Sequence, residues 1–332
     1  MRIEVAGPGF EDLKVGQILD DAPAITITAG MAALYASLTG DRMRLPLDAA
    51  LTKAVTGSDD PLAHPGLVWN IAIGASTGLT QRVRANLFYR NMVSLRPVFV
   101  GETLRTRTEV VALKENARRP GKPATGLAVL RMRCENQRGE PVLDFWRCPM
   151  LPFRDTEART GYADSFDDIP AEIASEAIHA AIPQWDLDAF RAAVPAERAG
   201  DLVAGTTYAV AAREPVTGAP GLVRLTLNAA VAHLDPDASA YGRRLVYGGH
   251  TISIACSQIV RAVPGIVTVL AWRSCDHTGP VFEDDLLRTD VTVESVEPLP
   301  AGGGLADLRA ITYATRDDEA PVLDWRLVAL VA

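Results

Sequence analysis

Residues 226–257, TLNAAVAHLDPDASAYGRRLVYGGHTISIACS, hold the side chains whose types and spacing suit proton chemistry. A short helical run ends at Asn228, and His233 follows five residues later. After a polar loop the pair Gly248-Gly249 opens an apolar helix. Histidine exchanges a proton near neutral pH. Side-chain-free amides at a helix start can hold a developing oxyanion. On spacing alone, an ordinary loop histidine before a buried helix, with glycines that only permit tight packing, explains the pattern too. Tyr247 and His250 flank the pair and either line a pocket or pack. Asp235 is expected to brace the loop through its own backbone. Cys256 is expected to be a buried, unreactive thiol. Arg243 and Arg244 are the basic residues nearest in sequence, and so candidates for meeting phosphates. The Lys114–Lys122 loop reads better as a solvated hairpin tip.

Other chemistries lack their motifs. The sequence has no glycine-rich phosphate loop, HExxH, GxSxG or metal-ligand cluster, so neither a metal nor a separate cofactor is expected. Cysteines 134, 148, 256 and 275 form no CxxC pair, which fits a reduced, cytoplasmic setting without structural zinc. A net charge of −8 argues against broad nucleic-acid binding. No apolar run is long enough for a bilayer span, and the N-terminus MRIEVAGPGFEDLKVGQ does not read as a signal peptide.

These residues must be positioned by two similar sets of elements. A short strand over 24–29 leads into a helix at about 29–38, capped by Thr28 and ended by Gly40 beside Asp41. From Leu67 the run LVWNIAIGASTGLTQR is apolar nearly all round and predicts a buried helix. Strands are expected over 93–99, over 103–113 and from about Gly126, with a hairpin turn at Arg138-Gly139. The order then returns. PVFVGETLRTRTEV from Pro97 is echoed by PVFEDDLLRTDVTV from Pro280, and EPVLDFWR from Glu140 by APVLDWRL from Ala320. The helix after Gly66 has its counterpart after Gly248. Two copies of one plan, each a curved antiparallel sheet around a long helix, account for offsets of about 180 residues. The expected division is 1–152, a linker at 153–200 with a short amphipathic helix and a surface His179, and 201–332.

Several blocks carry a family resemblance: FEDLKVGQ from Phe10, ANLFY from Ala85, PVFVGETL from Pro97, NQRGEPVLDFWR from Asn136 and GRRLVYGGHTISIA from Gly242. With these the chain resembles the MaoC-like acyl-CoA hydratases/dehydratases in their double hot-dog form, nearest to the mesaconyl-CoA hydratase type. The resemblance implies an α+β double hot-dog fold and reversible addition of water to a short branched or dicarboxylic 2-enoyl-CoA. In the related R-specific hydratases the signature is an aspartate followed five residues later by a histidine, with an amide at the helix start on the thioester carbonyl. These roles fall on Asn228, His233 and Gly248. Asparagine departs from that signature, although the mesaconyl-CoA type also carries it, and it can hold water but not accept its proton. His277 matches a histidine of the family, and Tyr247, Gly249, His250, Arg243 and Arg244 are carried as substrate-binding candidates. Five residues after Asp41 stands Pro46, so the first copy is expected to have lost its catalytic pair, with Asp41 read as a helix-end surface carboxylate in preference to a partner acid reaching across the pseudo-dimer. The expected partner is an acyl-CoA thioester, with no nucleic acid and no membrane, in a homo-oligomer. A non-catalytic acyl-CoA-binding protein is the competing reading. A thioesterase is disfavoured, because GGHTISIACSQIV carries no carboxylate.

Overall fold

The computed structural model describes residues 6–332; the part of the N-terminal reading that falls on residues 1–5 lies outside them. In the first copy, helix α1 (Ala29–Thr39) starts where the Thr28 hydroxyl accepts from the Met31 amide and stops at Gly40, whose φ of 61° suits glycine. Helix α2 (Pro65–Ala75) is buried along almost its whole length. It is shorter than expected, because the chain tightens into a 3₁₀ turn at Ser76–Thr80. Four long strands follow: β1 (Ala85–Ser94), β2 (Thr103–Glu115), β3 (Thr125–Glu135) and β4 (Pro141–Pro152). The strand expected over 93–99 thus lies earlier in the chain. Pro97, which lacks an amide to donate, falls in the turn beyond it. The second copy repeats the plan with α3 (Ala219–Leu225), α4 (Gly248–Ala262), β5 (Ile266–His277), β6 (Leu286–Pro298), β7 (Gly304–Thr315) and β8 (Glu319–Val331).

Among the described residues all the long strands join one 12-stranded antiparallel sheet, in the order β2-β3-β4-β1-β5-β8-β7-β6 with short strands at its margins. That order is its own mirror image about the β1–β5 seam, where Tyr89 faces Cys275, Met92 faces Trp272 and Val93 faces Ala271. The fold is therefore an α+β double hot-dog, closed on itself as an internal pseudo-dimer. Side chains repeat with it. Arg131 grips Asp144 through two hydrogen bonds of 2.9 and 2.6 Å, and Arg309 grips Asp324 through two of 3.0 and 2.6 Å. The Phe99 amide donates to Glu102 as the Phe282 amide donates to Asp285. Trp69 of α2 packs edge-on against Trp272 and Trp325 of the other copy, tying the two halves in one core.

Residues 153–200 pack as well as connect. Helices over Ser175–Ala180 and Leu187–Ala193 bury Ile178, Leu187 and Phe190 against Val267, Leu270 and Leu330. His179 stays exposed, its Nε2 2.9 Å from Glu297. No helix among the described residues is long and apolar enough to cross a membrane.

The loop carrying His233 is held by the other copy. The Ala229 amide donates to the Thr77 hydroxyl at 2.7 Å, and the Val231 amide to the Gln81 carbonyl at 2.9 Å. Gly74 lets α2 approach this closely, since a Cβ there would run into the Thr226 carbonyl oxygen. Gly74→Ala is therefore expected to displace residues 226–231 and to destabilise the protein by about 1–3 kcal/mol. Thermal unfolding checks it; an unchanged Tm would mean the contact yields freely.

Candidate active site

A cavity of about 300 Å³ lies between the copies. Its walls include Asn228, His233, Tyr247, Gly248 and His277 from the second copy. The first copy contributes Thr77, Tyr89 and Arg147. His233 sits at the end of a 3₁₀ turn over Val231–His233. Its Nδ1 lies 3.0 Å from the Leu245 carbonyl, which can only accept. In the neutral ring Nδ1 therefore carries the proton, and Nε2 keeps a lone pair with no partner among the described residues. Burial lowers the His233 pKa, so the ring is neutral at pH 7.

Asn228 is buried, with its Oδ1 accepting from the Ala230 amide at 2.9 Å. This turn fixes the amide orientation and leaves the Nδ2 donor without a partner among the described residues. The preceding Leu227 adopts φ 53°, a left-handed position that the first copy gives to Gly40. A leucine there costs about 1 kcal/mol, stored where the chain must aim Asn228.

Helix α4 begins without a side-chain cap on Tyr247. The amides of Gly248 and Gly249, in its first turn, have no intrahelical carbonyl to reach. A Cβ on Gly248 would lie 2.5 Å from His277 Nε2, so the glycine makes room for that ring beside the helix start. Burial and the neighbouring His233 push His277 down to about 4. Tyr247 stacks near His233, with ring centroids 5.5 Å apart. Tyr89 borders His277 at 6.5 Å and is raised to about 12 by burial. Tyr247 Oη, His277 Nε2 and Arg147 Nε are buried polar atoms without partners among the described residues around one cavity, a pattern that signals a ligand.

Some expected residues stand apart. Gly249 packs against Asn70, and His250 is fully buried with Nε2 2.9 Å from the Leu38 carbonyl; neither lines the cavity. Nor do the two arginines at 243 and 244. Arg243 is exposed over the Phe282 ring, and Arg244 pairs with Glu283 at 2.7 Å. Arg147, Tyr89 and Thr77 escaped the sequence reading because they reach the cavity from the other copy. Asp235 braces its loop, accepting from the Asp237 amide, and Cys256 is buried with its thiol pKa raised by burial.

The equivalent place in the first copy is shut. Sequence order and register set Pro46 opposite His233, Pro65 opposite Gly248 and Ser94 opposite His277. Proline at 65 has no amide proton. The next amide, that of Gly66, is capped by His64 Nδ1 at 2.8 Å. Only about 30 Å³ remains there, and Ala181, Pro183 and Trp185 of the connecting segment cover it. Asp41 is not a surface carboxylate. Its side chain is 3% exposed and lies 3.0 Å from His64 Nε2, because the chain after Gly40 turns inward. Asp41 lines the wall of neither cavity.

Similarity to known proteins agrees with this fold. A family profile described as a MaoC-like domain matches residues 12–130. A solved protein of Mycobacterium tuberculosis, described as having a double hot-dog fold, is 46% identical, covers 99% of each chain and superposes with a TM-score of 0.89. The mesaconyl-CoA hydratase of Cereibacter sphaeroides is 28% identical over 98% of this chain and 96% of its own. The β-methylmalyl-CoA dehydratase of Chloroflexus aurantiacus is 28% identical over 94% of this chain and 89% of its own.

Two expectations follow. Protonation of His277 favours the unfolded chain, since its folded pKa of about 4 lies below the ordinary histidine value. Its contribution is full above about pH 6.5 and is lost as pH falls towards 4. The Tm of the wild type should therefore drop more between pH 7 and pH 5 than that of His277→Gln; parallel curves would contradict it. Asp41→Ala should lower stability by about 1–3 kcal/mol by orphaning His64, while turnover at a permissive temperature stays that of the wild type. A large loss of turnover would instead make Asp41 the partner acid.

Proposed function

The chain belongs to the MaoC-like double hot-dog hydratase/dehydratase family, and on that premise we propose that it adds water reversibly to a short 2-enoyl-CoA, branched or dicarboxylic, such as mesaconyl-CoA. One observation carries the reading: a neutral histidine with a free Nε2 shares a cavity with an uncapped helix start at Gly248. In the hydration direction the thioester carbonyl oxygen accepts from the Gly248 amide. Asn228 Nδ2 donates to the attacking water and orients it. His233 Nε2 takes a proton from that water as its oxygen bonds to the β-carbon. The π pair of the double bond moves onto the carbonyl oxygen as an enolate, and the amide stabilises the charge that grows there. The enolate collapses as the α-carbon takes the proton from His233. The step needs no metal and no cofactor beyond the CoA of the substrate. The substrate range is supported by the names of the two relatives and by the modest size of the cavity.

Loss of enoyl-thioester absorbance across a panel of 2-enoyl-CoAs, mesaconyl-CoA and crotonyl-CoA included, tests the proposal directly. Binding without turnover of any member would favour a non-catalytic acyl-CoA-binding protein. His233→Ala should lower kcat/KM by about 10²–10⁴-fold with little change in Tm. Asn228→Ala should cost less, since it removes orientation and not the base. The lowered His233 pKa gives a sign for acidity. The kcat/KM should be level from pH 7 to 8 and fall on an acid limb with an apparent pKa below 6.5. A profile that rises through pH 7 would overturn the assignment of His233 as the base.

A further inference from the structure

Arg147 is 3% exposed, yet it belongs to no ion pair among the described residues. Its Nη2 donates to the Ser76 carbonyl at 3.2 Å and to the Thr80 hydroxyl at 2.8 Å. Among the described residues Nε has no partner and Nη1 makes no hydrogen bond. A buried guanidinium is costly unless an anion meets it. The carbonyls at the end of α2 offer a partial charge of about half a unit, which tolerates the cation without neutralising it. Its other neighbours in the cavity, Tyr89 and Tyr247, are phenols kept protonated by burial.

The internal repeat gives an independent comparison. Arg147 on β4 faces Tyr89 on β1, and at the matching register Leu327 on β8 faces Trp272 on β5. The cation thus lines the open cavity, whereas its apolar counterpart Leu327 is fully buried in the core and does not line the plugged one. An arginine kept only to close a helix end would not need to track the open site. Tyr89 also pairs with Cys275, two residues before His277. Arg147 is thus two strand spacings, about 10 Å of backbone, from the strand that carries His277. It lines the same cavity as the reacting groups and is buried away from exposed surface.

Resting on the hydratase reading above, we propose that Arg147 receives a carboxylate at the far end of the acyl chain, making this site selective for mono-CoA thioesters of dicarboxylic acids. Its free Nε and Nη1 edges supply charge-assisted donors for that group. Neutral acyl tails would leave the guanidinium unpaired. Phosphates of CoA are excluded as its partner by its depth, since they must remain with the nucleotide outside a cavity of about 300 Å³.

Saturated analogues separate this selectivity from turnover. Binding of succinyl-CoA and butyryl-CoA, equal in chain length and different in the terminal carboxylate, is measured by calorimetry on the full chain. The wild type should prefer succinyl-CoA by about 10–100-fold, the worth of one or more hydrogen bonds to a charged group. In Arg147→Gln that preference should collapse towards one. Arg147→Lys, which keeps the charge but not the fork, should retain part of it, and it carries the comparison should the glutamine variant fail to fold. Equal affinities in the wild type, or a full preference in both folded variants, would overturn the proposal. Because neither analogue reacts, a protein that prefers succinyl-CoA yet hydrates no enoyl-CoA would sink the hydratase reading and leave this one standing. Hydration of crotonyl-CoA with no succinyl preference would do the reverse.

Discussion

An uncapped helix start inside a protein is a cost that something must offset, and the first turn of α4 is such a place. Tyr247 offers no side-chain oxygen to the amides that follow it, and Gly248 carries no side chain to cover them. The rest of the site makes sense around this opening. His277 fits beside Gly248 only because the Cβ is missing. His233 is held on the facing loop by the Leu245 carbonyl, in the tautomer that keeps Nε2 basic. The first copy shows the same helix start with the cost removed. Pro65 has no proton to satisfy, His64 caps Gly66, and Asp41 braces His64 in turn. A capped start needs no ligand, and its cavity has collapsed to about 30 Å³.

Duplication therefore left two kinds of residue in the first copy. Those that would have served its own site were replaced by groups that satisfy one another. Those facing the seam kept a function in the other site, because the order about β1 and β5 brings each copy's strands to its partner's helix start. Thr77 and Gln81 dock the loop that bears His233. A separated second copy would lose these contacts and half of its cavity wall.

Much of this was legible in the chain. Gly40 and Thr28 bound α1 where capping chemistry requires, and the two repeats foretold the mirrored sheet. His233 and Gly248 were legible as candidates because local features mark them, a loop beyond a helix and glycine at a helix start, and both line the cavity. Arg147, Tyr89 and Thr77 were not, since strand alternation gives the face of a residue and not what lies across a seam between copies. Asp41 was misread for a related reason. A carboxylate after a helix-ending glycine is usually solvated, and only the distant His64 draws it inward. The connecting segment reads as polar and alanine-rich, and its few apolar residues gain meaning only against the cavity and sheet face they cover.

Charge placement explains why the open site needs the closed copy. Two imidazoles, His233 and His277, line the cavity, and protonating either is opposed by burial. A carboxylate brought close to them would raise both pKa values and blunt the base, unless its charge were taken up elsewhere. Arg147 reaches the cavity from a strand of the other copy, where it can neutralise an anion. A single hot-dog unit has its helix start and its own strands on one side of the seam. A pseudo-dimer can line one cavity with histidines from one copy and a fixed cation from the other, and once the copies differ neither set has to compromise for the other's sake.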